Sequence, residues 1–147
     1  FNYRYADLEA AHVFVGVQVQ SREEITQLLS TLHDHGLDAL DFSDNEIAKL
    51  HIRHLVGGHA PQAKHEILYR FEFPERPGAL INFLQSMSPN WNISLFHYRN
   101  HGTDIGRVLV GIQVPPDDRG VFQEFLHKLG YVYCEETQNP AYRLFLS

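Results

Sequence analysis

Two strings recur in this chain in the same order and at the same distance. Phe1-Asn-Tyr-Arg4 returns as Phe96-His-Tyr-Arg99, and His12 to Val19 (HVFVGVQV) returns as Arg107 to Val114 (RVLVGIQV), both at an offset of 95 residues. With one residue of slippage the agreement runs on, Gly36 against Gly130 and Asn45 to Leu50 against Asn139 to Leu144. Self-similarity in phase over so long a stretch marks an internal duplication, so the two halves are expected to share one architecture.

The later half shows that architecture in full. Ile67 to Phe73 alternates apolar and polar residues as a strand does, with Ile67, Tyr69, Phe71 and Phe73 on one face. Pro74-Glu-Arg-Pro-Gly78 breaks the alternation. A helix follows with Leu80, Ile81, Phe83, Leu84 and Met87 as its apolar stripe, and Pro77 suits its first turn. Asn92 to Arg99 and Arg107 to Val114 are two more strands, joined by the turn-forming Asn100-His-Gly-Thr-Asp104. Asp117 is the expected N-cap of a helix over Val121 to Leu129, Gly130 its stop, and Tyr131 to Glu135 a fourth strand. Strand, helix, strand, strand, helix, strand is the βαββαβ or ferredoxin-like order, an α+β unit with an antiparallel sheet and both helices on one face.

The earlier half repeats only part of this. Phe1 to Tyr5 and His12 to Val19 read as strands, and Ser21 with Glu24 forms a capping-box pattern ahead of a helix striped by Ile25, Leu28, Leu29 and Leu32. Leu37 to Phe42 is its expected last strand and Asp44 to Val56 an appended helix stopped by Gly57-Gly58. The expected division is a truncated first unit over 1–57, a linker over 58–65 and a complete second unit over 66–147. The first unit lacks an opening strand and helix, and Phe1 is not a methionine, so the chain reads as cut from a longer protein. Such a unit exposes an apolar face, and association into a dimer of the fragment is expected to cover it.

Composition excludes several functions. A net charge of -6 is the wrong sign for a nucleic-acid face, and no apolar run approaches the roughly 20 residues that cross a bilayer. The single cysteine, Cys134, allows no internal disulfide, so a reducing cytoplasm is the expected setting. Cys134 reads as a buried structural thiol without a basic partner. His51 and His54 would share a helix side but lack further ligands at metal spacing, and His97, His101 and Asp104 read as strand and turn residues. No nucleophile, base and orienter converge, so catalytic and metal sites are both expected to be absent.

FEFPERPGAL (71–80), WNISLFHYR (91–99), the His101-Gly-Thr-Asp104 turn and the tandem FNYR together resemble the carboxy-terminal regulatory region of biosynthetic threonine dehydratase, also called threonine ammonia-lyase or threonine deaminase. The resemblance covers essentially the whole chain. It implies two side-by-side ACT-like domains that bind L-isoleucine as feedback inhibitor and L-valine as its antagonist. It implies a parent tetramer whose own catalytic domain uses pyridoxal phosphate to convert L-threonine to 2-oxobutanoate, with no cofactor in the region itself.

ACT-type domains generally bind amino acids at the loop between the first strand and helix, which here runs from Glu75 to Leu80 and offers Arg76, Pro77, Gly78, Ala79 and Leu80. Gly78 permits close backbone approach, helix-start N–H groups suit a carboxylate, and Leu80 suits a branched side chain. Alternation puts Phe96 and Tyr98 on one strand face and Leu95, His97 and Arg99 on the other. Tyr3 and Tyr98 are the foremost expected effector contacts, with Arg4, Arg99 and Asn92 behind them. The alternative is an oligomerisation module that holds catalytic domains together and binds no ligand.

Overall fold

The computed structural model describes residues 2–4, 12–52, 60, 61, 63–99 and 104–147, with residues 2–4 and 12–14 given by their backbone. The chain divides into two compact units, residues 1–54 and 55–147.

In the first unit β1 (Asn2–Arg4) and β2 (His12–Phe14) pair antiparallel with Tyr3 opposite Val13. α1 (Arg22–Asp34) follows. Ser21 Oγ accepts from the Glu24 N–H at 3.4 Å, and the Glu24 carboxylate accepts from the Gln20 N–H at 2.8 Å, so both residues of the capping-box pattern satisfy donors at the helix start. Gly36, at φ 73°, ends α1: its N–H donates to the His33 carbonyl and the Leu37 N–H to the Leu32 carbonyl at 3.0 Å. α2 (Glu46–Leu50) is capped by Asn45, whose side chain accepts from the Ala48 N–H at 3.1 Å.

Three expectations for this unit are corrected. No residue of α1 is fully buried among the described residues: Ile25, Leu29 and Leu32 are half-buried and Leu28 is exposed. Leu37 to Phe42 forms no strand; Asp38, Ala39 and Asp41 are poor strand formers, and Leu37 and Leu40 stand exposed. The appended helix is interrupted early: α2 ends at Leu50 with His51 as its C-cap, and residues 53–58 of the expected helix and its stop lie outside the described residues.

The second unit contains β3 (Glu66–Pro74), α3 (Ala79–Ser86), β4 (Asn92–Arg99), β5 (Ile105–Gln113), α4 (Arg119–Leu129), β6 (Val132–Glu135) and α5 (Pro140–Phe145). The four strands form one antiparallel sheet in the order β4-β5-β3-β6, the expected split arrangement. Its register echoes the first unit: Tyr98 faces Val108 as Tyr3 faces Val13, and Asn139 caps α5 as Asn45 caps α2. The Asp117 cap is corrected. A 3₁₀ turn over Pro116–Asp118 runs straight into α4, and Asp118 at the cap position accepts the Trp91 indole N–H at 3.0 Å instead of capping. Gly130 closes α4 at φ 69°, as its place in the pattern requires.

Alternation in β3 places the core. Ile67, Tyr69, Phe71 and Phe73 meet Val108, Val110 and Ile112 of β5 on one face, and Phe83 of α3 with Phe122, Phe125 and Leu126 of α4 cover them. The Phe71 and Phe83 rings meet edge to face at 5.3 Å, and each such side chain removed from water contributes roughly 1.5 to 3 kcal/mol. On the other face Leu68 and Leu109 are fully buried, and Tyr142 of α5 donates to Glu66 at 2.5 Å. Cys134 is exposed, against expectation, because β6 is an edge strand whose residues all face solvent.

Candidate functional site

The site grows from the way β3 hands over to α3. The Glu75 N–H donates to the Asp104 carbonyl at 3.0 Å, and the Arg76 N–H turns back on the Pro74 carbonyl at 2.8 Å, a tight three-residue turn. Gly78 then sits at φ 88°, a left-handed angle that L side chains rarely adopt, while a Cβ there would meet nothing within 4 Å. Backbone conformation, not space, is what asks for glycine. α3 therefore starts with no side-chain cap; the Ala79 N–H donates to the Arg76 carbonyl at 3.3 Å, and the next helix-start N–H groups lie ahead of the first intrahelical bonds.

The residues of this turn border a concavity of about 520 Å³, within the size range of small-ligand sites. Pro74, Glu75, Arg76, Gly78 and Ala79 form one rim, Leu80 and Ile81 one wall, and Phe73, Phe96 and Tyr98 the rest. Pairing explains the strand wall: Phe96 lies opposite Val110 and Tyr98 opposite Val108, so both point to the helix-covered face. At this edge the cover is incomplete, and Leu80 (45 % exposed), Ile81 (59 %) and Tyr98 (46 %) remain open to solvent.

A polar clasp crosses the concavity. The Tyr98 hydroxyl donates to Oε1 of Glu75. It forms only because Gly106 has no side chain, since a Cβ there would stand 2.6 Å from Glu75 Oε1 and 2.6 Å from Tyr98 Cε2. The rim thus holds a carboxylate at Glu75 beside a guanidinium at Arg76 and the positive end of the α3 dipole.

Of the residues expected from sequence, Arg76, Gly78, Ala79, Leu80 and Tyr98 line this concavity, and Pro77 links two of them in the loop. Asn92 lies at the far end of β4, where its amide donates to Gln113 Oε1 at 2.8 Å. Arg99 takes the opposite face of β4 from Tyr98, as the alternation requires. Tyr3 and Arg4 lie in β1, and their side chains are outside the described residues. Glu75 belongs to the loop expected from sequence and lines the rim, whereas Ile81, Phe96 and Gly106 are site residues that the sequence reading does not single out. The pairing of Phe96 with Tyr98 on one strand face was a signal available for one of them; the clasp was not visible before the strands were paired.

The remaining titratable residues point elsewhere. His97, on the opposite face of β4, is held below the ordinary imidazole range by burial. Tyr69 is pushed up to about 12, by burial first and by the nearby Glu135 carboxylate second. Among the described residues no cluster of three metal-ligating side chains occurs, and the concavity is lined by no lysine, so it offers no Schiff-base partner for pyridoxal phosphate.

The family model for the C-terminal regulatory domain of threonine dehydratase matches residues 1–52 and 57–146. The L-threonine dehydratase biosynthetic IlvA of Burkholderia multivorans is 56% identical over 147 residues, all of this chain and 29% of the relative. The corresponding protein of Salmonella typhimurium is 51% identical over 148 residues, again 100% of this chain and 29% of the relative. The mitochondrial threonine dehydratase of Saccharomyces cerevisiae is 49% identical over 155 residues, 99% of this chain and 27% of the relative. The chain thus spans less than a third of the length of these relatives. With a family model over nearly its whole length and half or more of its residues shared with bacterial members, the chain belongs to the family of C-terminal regulatory domains of threonine dehydratase.

Proposed function

We propose that this chain is the effector-sensing part of a biosynthetic threonine dehydratase, and that the concavity between α3 and β4 binds L-isoleucine as inhibitor and L-valine as antagonist. The observation that carries this reading is the arrangement of its walls. An uncapped helix start and Arg76 suit a carboxylate, and Leu80, Ile81, Phe73 and Phe96 suit a branched aliphatic chain a few ångströms away. The chain itself performs no catalysis on this reading. Deamination of threonine, and the pyridoxal phosphate it requires, belong to the catalytic domain of the longer protein, which works as a tetramer in the cytoplasm. Residues 1–57 and 66–147 act as paired ACT-like domains joined by 58–65, and Tyr3 and Arg4 contribute to a second, related site.

Regulation follows from linkage. An effector that binds one arrangement of the domains more tightly than another shifts the enzyme toward it, by no more than its differential affinity. Isoleucine and valine differ by one methylene, which a hydrophobic pocket distinguishes by only about 1 to 3 kcal/mol. Their opposite effects are therefore assigned to two sites or two arrangements. The test is the melting temperature of the chain with millimolar L-isoleucine, L-valine and L-lysine. At 100 times its dissociation constant a ligand adds about 2.7 kcal/mol, so the two aliphatic amino acids raise the temperature and lysine leaves it unchanged. No rise with either would refute an effector site in favour of an assembly role.

A further inference from the structure

We propose that Glu75 is the residue that recognises the ammonium group of the effector, and that the Tyr98 hydroxyl is a resident donor which the ammonium displaces. The inference rests on the reading of the concavity as an amino-acid site and concerns how that site tells an amino acid from other branched acids.

An α-amino acid carries a carboxylate and an ammonium on one carbon, so its site needs an anion-binding and a cation-binding group side by side. Arg76 and the α3 start supply the first. Glu75 is the adjacent residue and the only carboxylate among the residues that line the concavity. In the structure Glu75 accepts a hydrogen bond at Oε1 from the Tyr98 hydroxyl. A neutral hydroxyl is a weaker partner for a carboxylate than an ammonium, so exchange runs toward the ligand. The hydroxyl meanwhile keeps the carboxylate aimed along the pocket wall, and the Glu75 N–H bond to Asp104 at 3.0 Å holds the backbone beneath it.

Gly106 makes the exchange possible. It lies opposite Phe73 in the β3–β5 ladder, and its missing side chain is the space in which Tyr98 and Glu75 meet. Any larger residue would drive the tyrosine ring or the carboxylate into the concavity. Gly106 is thus a positioning residue, while Glu75 touches the ligand.

The inference separates two ligands of nearly equal shape. L-isoleucine and (S)-3-methylpentanoate share the aliphatic chain and the carboxylate, but only the first has an ammonium group. Calorimetric titration of the chain with each, for the native sequence and for Glu75→Gln and Tyr98→Phe, reads the difference. The native chain binds isoleucine at least about tenfold more tightly than the acid, the scale of one charge-assisted hydrogen bond. Glu75→Gln abolishes that preference by weakening isoleucine and leaves the acid within about twofold. Tyr98→Phe keeps the ring, removes the competing donor, and binds isoleucine as tightly as the native chain or more so.

Three results overturn the inference: equal affinity of the native chain for both ligands, equal loss of both in Glu75→Gln, or a loss of isoleucine binding in Tyr98→Phe as large as in Glu75→Gln. Each leaves the aliphatic effector site standing. Binding of neither ligand by the native chain removes the site itself, and with it the inference.

Discussion

Tyr142 donates its hydroxyl proton to Oε2 of Glu66 at 2.5 Å, and this bond fastens the C-terminal helix α5 to the sheet. The other carboxylate oxygen accepts from Ser94 Oγ, at the irregularity in β4 between Ile93 and Leu95. One side chain of β3 therefore ties together an edge strand and a terminal helix. Gly111 leaves room for it, since a Cβ there would stand 2.6 Å from Glu66 Oε1. Tyr142→Phe deletes the bond while leaving the ring, which is 5% exposed, in place. The expected loss in urea unfolding is about 1.5 to 3 kcal/mol, the range for a hydrogen bond to a charged group. A change below a few tenths would mean that α5 is held by its apolar residues alone.

Alkaline pH tests the same kind of contact from the other direction. Tyr69 has its folded pKa raised to about 12 by burial and by Glu135, whose carboxylate accepts its hydroxyl at 3.2 Å. Tyr142 is raised as well, by burial first and then by Glu66. A phenol whose pKa is higher in the folded state favours folding fully below its unfolded value, near 10, and that contribution fades as pH rises through the folded value. Stability is expected to fall from about pH 10 upward, with the Tyr69 ionisation centred near 12 in an ultraviolet titration. Ionisation of every tyrosine near 10 in the folded chain would contradict this.

His97 gives the opposite sign. Burial lowers its pKa in the folded state, so the unfolded chain binds a proton first as pH falls. The contribution to stability is whole above the unfolded value, near 6.5, and is lost as pH drops through the folded one. Proton NMR of the imidazole should place the His97 midpoint below 6.5, and His97→Asn should flatten the acid limb of the stability profile. A midpoint at or above 6.5 would show that the second sheet face is wetter than its packing indicates.

Phe83 anchors α3, and therefore one wall of the concavity. It is fully buried and meets Phe71, Phe73 and Phe125. Phe83→Ala is expected to cost about 3 to 5 kcal/mol in denaturant unfolding. Leu84, one residue on but 46% exposed, should cost under 1 kcal/mol when changed to Ala, a contrast that fixes which face of the helix is seated.

Much of this was legible in the residues. The alternation of β4 gave its bounds, Asn92 to Arg99, and the face shared by Phe96 and Tyr98, because side-chain direction in a strand follows from position alone. Gly130 was legible as the stop of α4, whereas Gly78 reads from sequence as a point of close backbone approach and its left-handed angle emerges only in the structure. Relations created only by packing were not legible. The stripe of α1 shows which residues share a face but not how far they are covered, and Ile25, Leu29 and Leu32 are only half-buried among the described residues. Leu37 to Phe42 carries apolar residues at suggestive places, but a strand needs a partner for its N–H and C=O groups and weak strand formers do not compete for one. Asp118 is diverted from capping by Trp91, which lies far away in sequence. Asn92 and Tyr98 belong to one strand, yet of the two only Tyr98 lines the concavity, because Asn92 sits at the other end of β4, bonded to Gln113.

The proposed effector site lies between α3 and β4. The most direct test is the set of backbone amide shifts as L-isoleucine is titrated into the isotope-labelled chain. The expected result is a saturable perturbation at Glu75, Arg76, Gly78 to Ile81, Phe96 and Tyr98, with Asn92 and Gln113 at the other end of β4 unmoved. Saturable shifts that leave Arg76 to Ile81 untouched and appear elsewhere in the chain would contradict it.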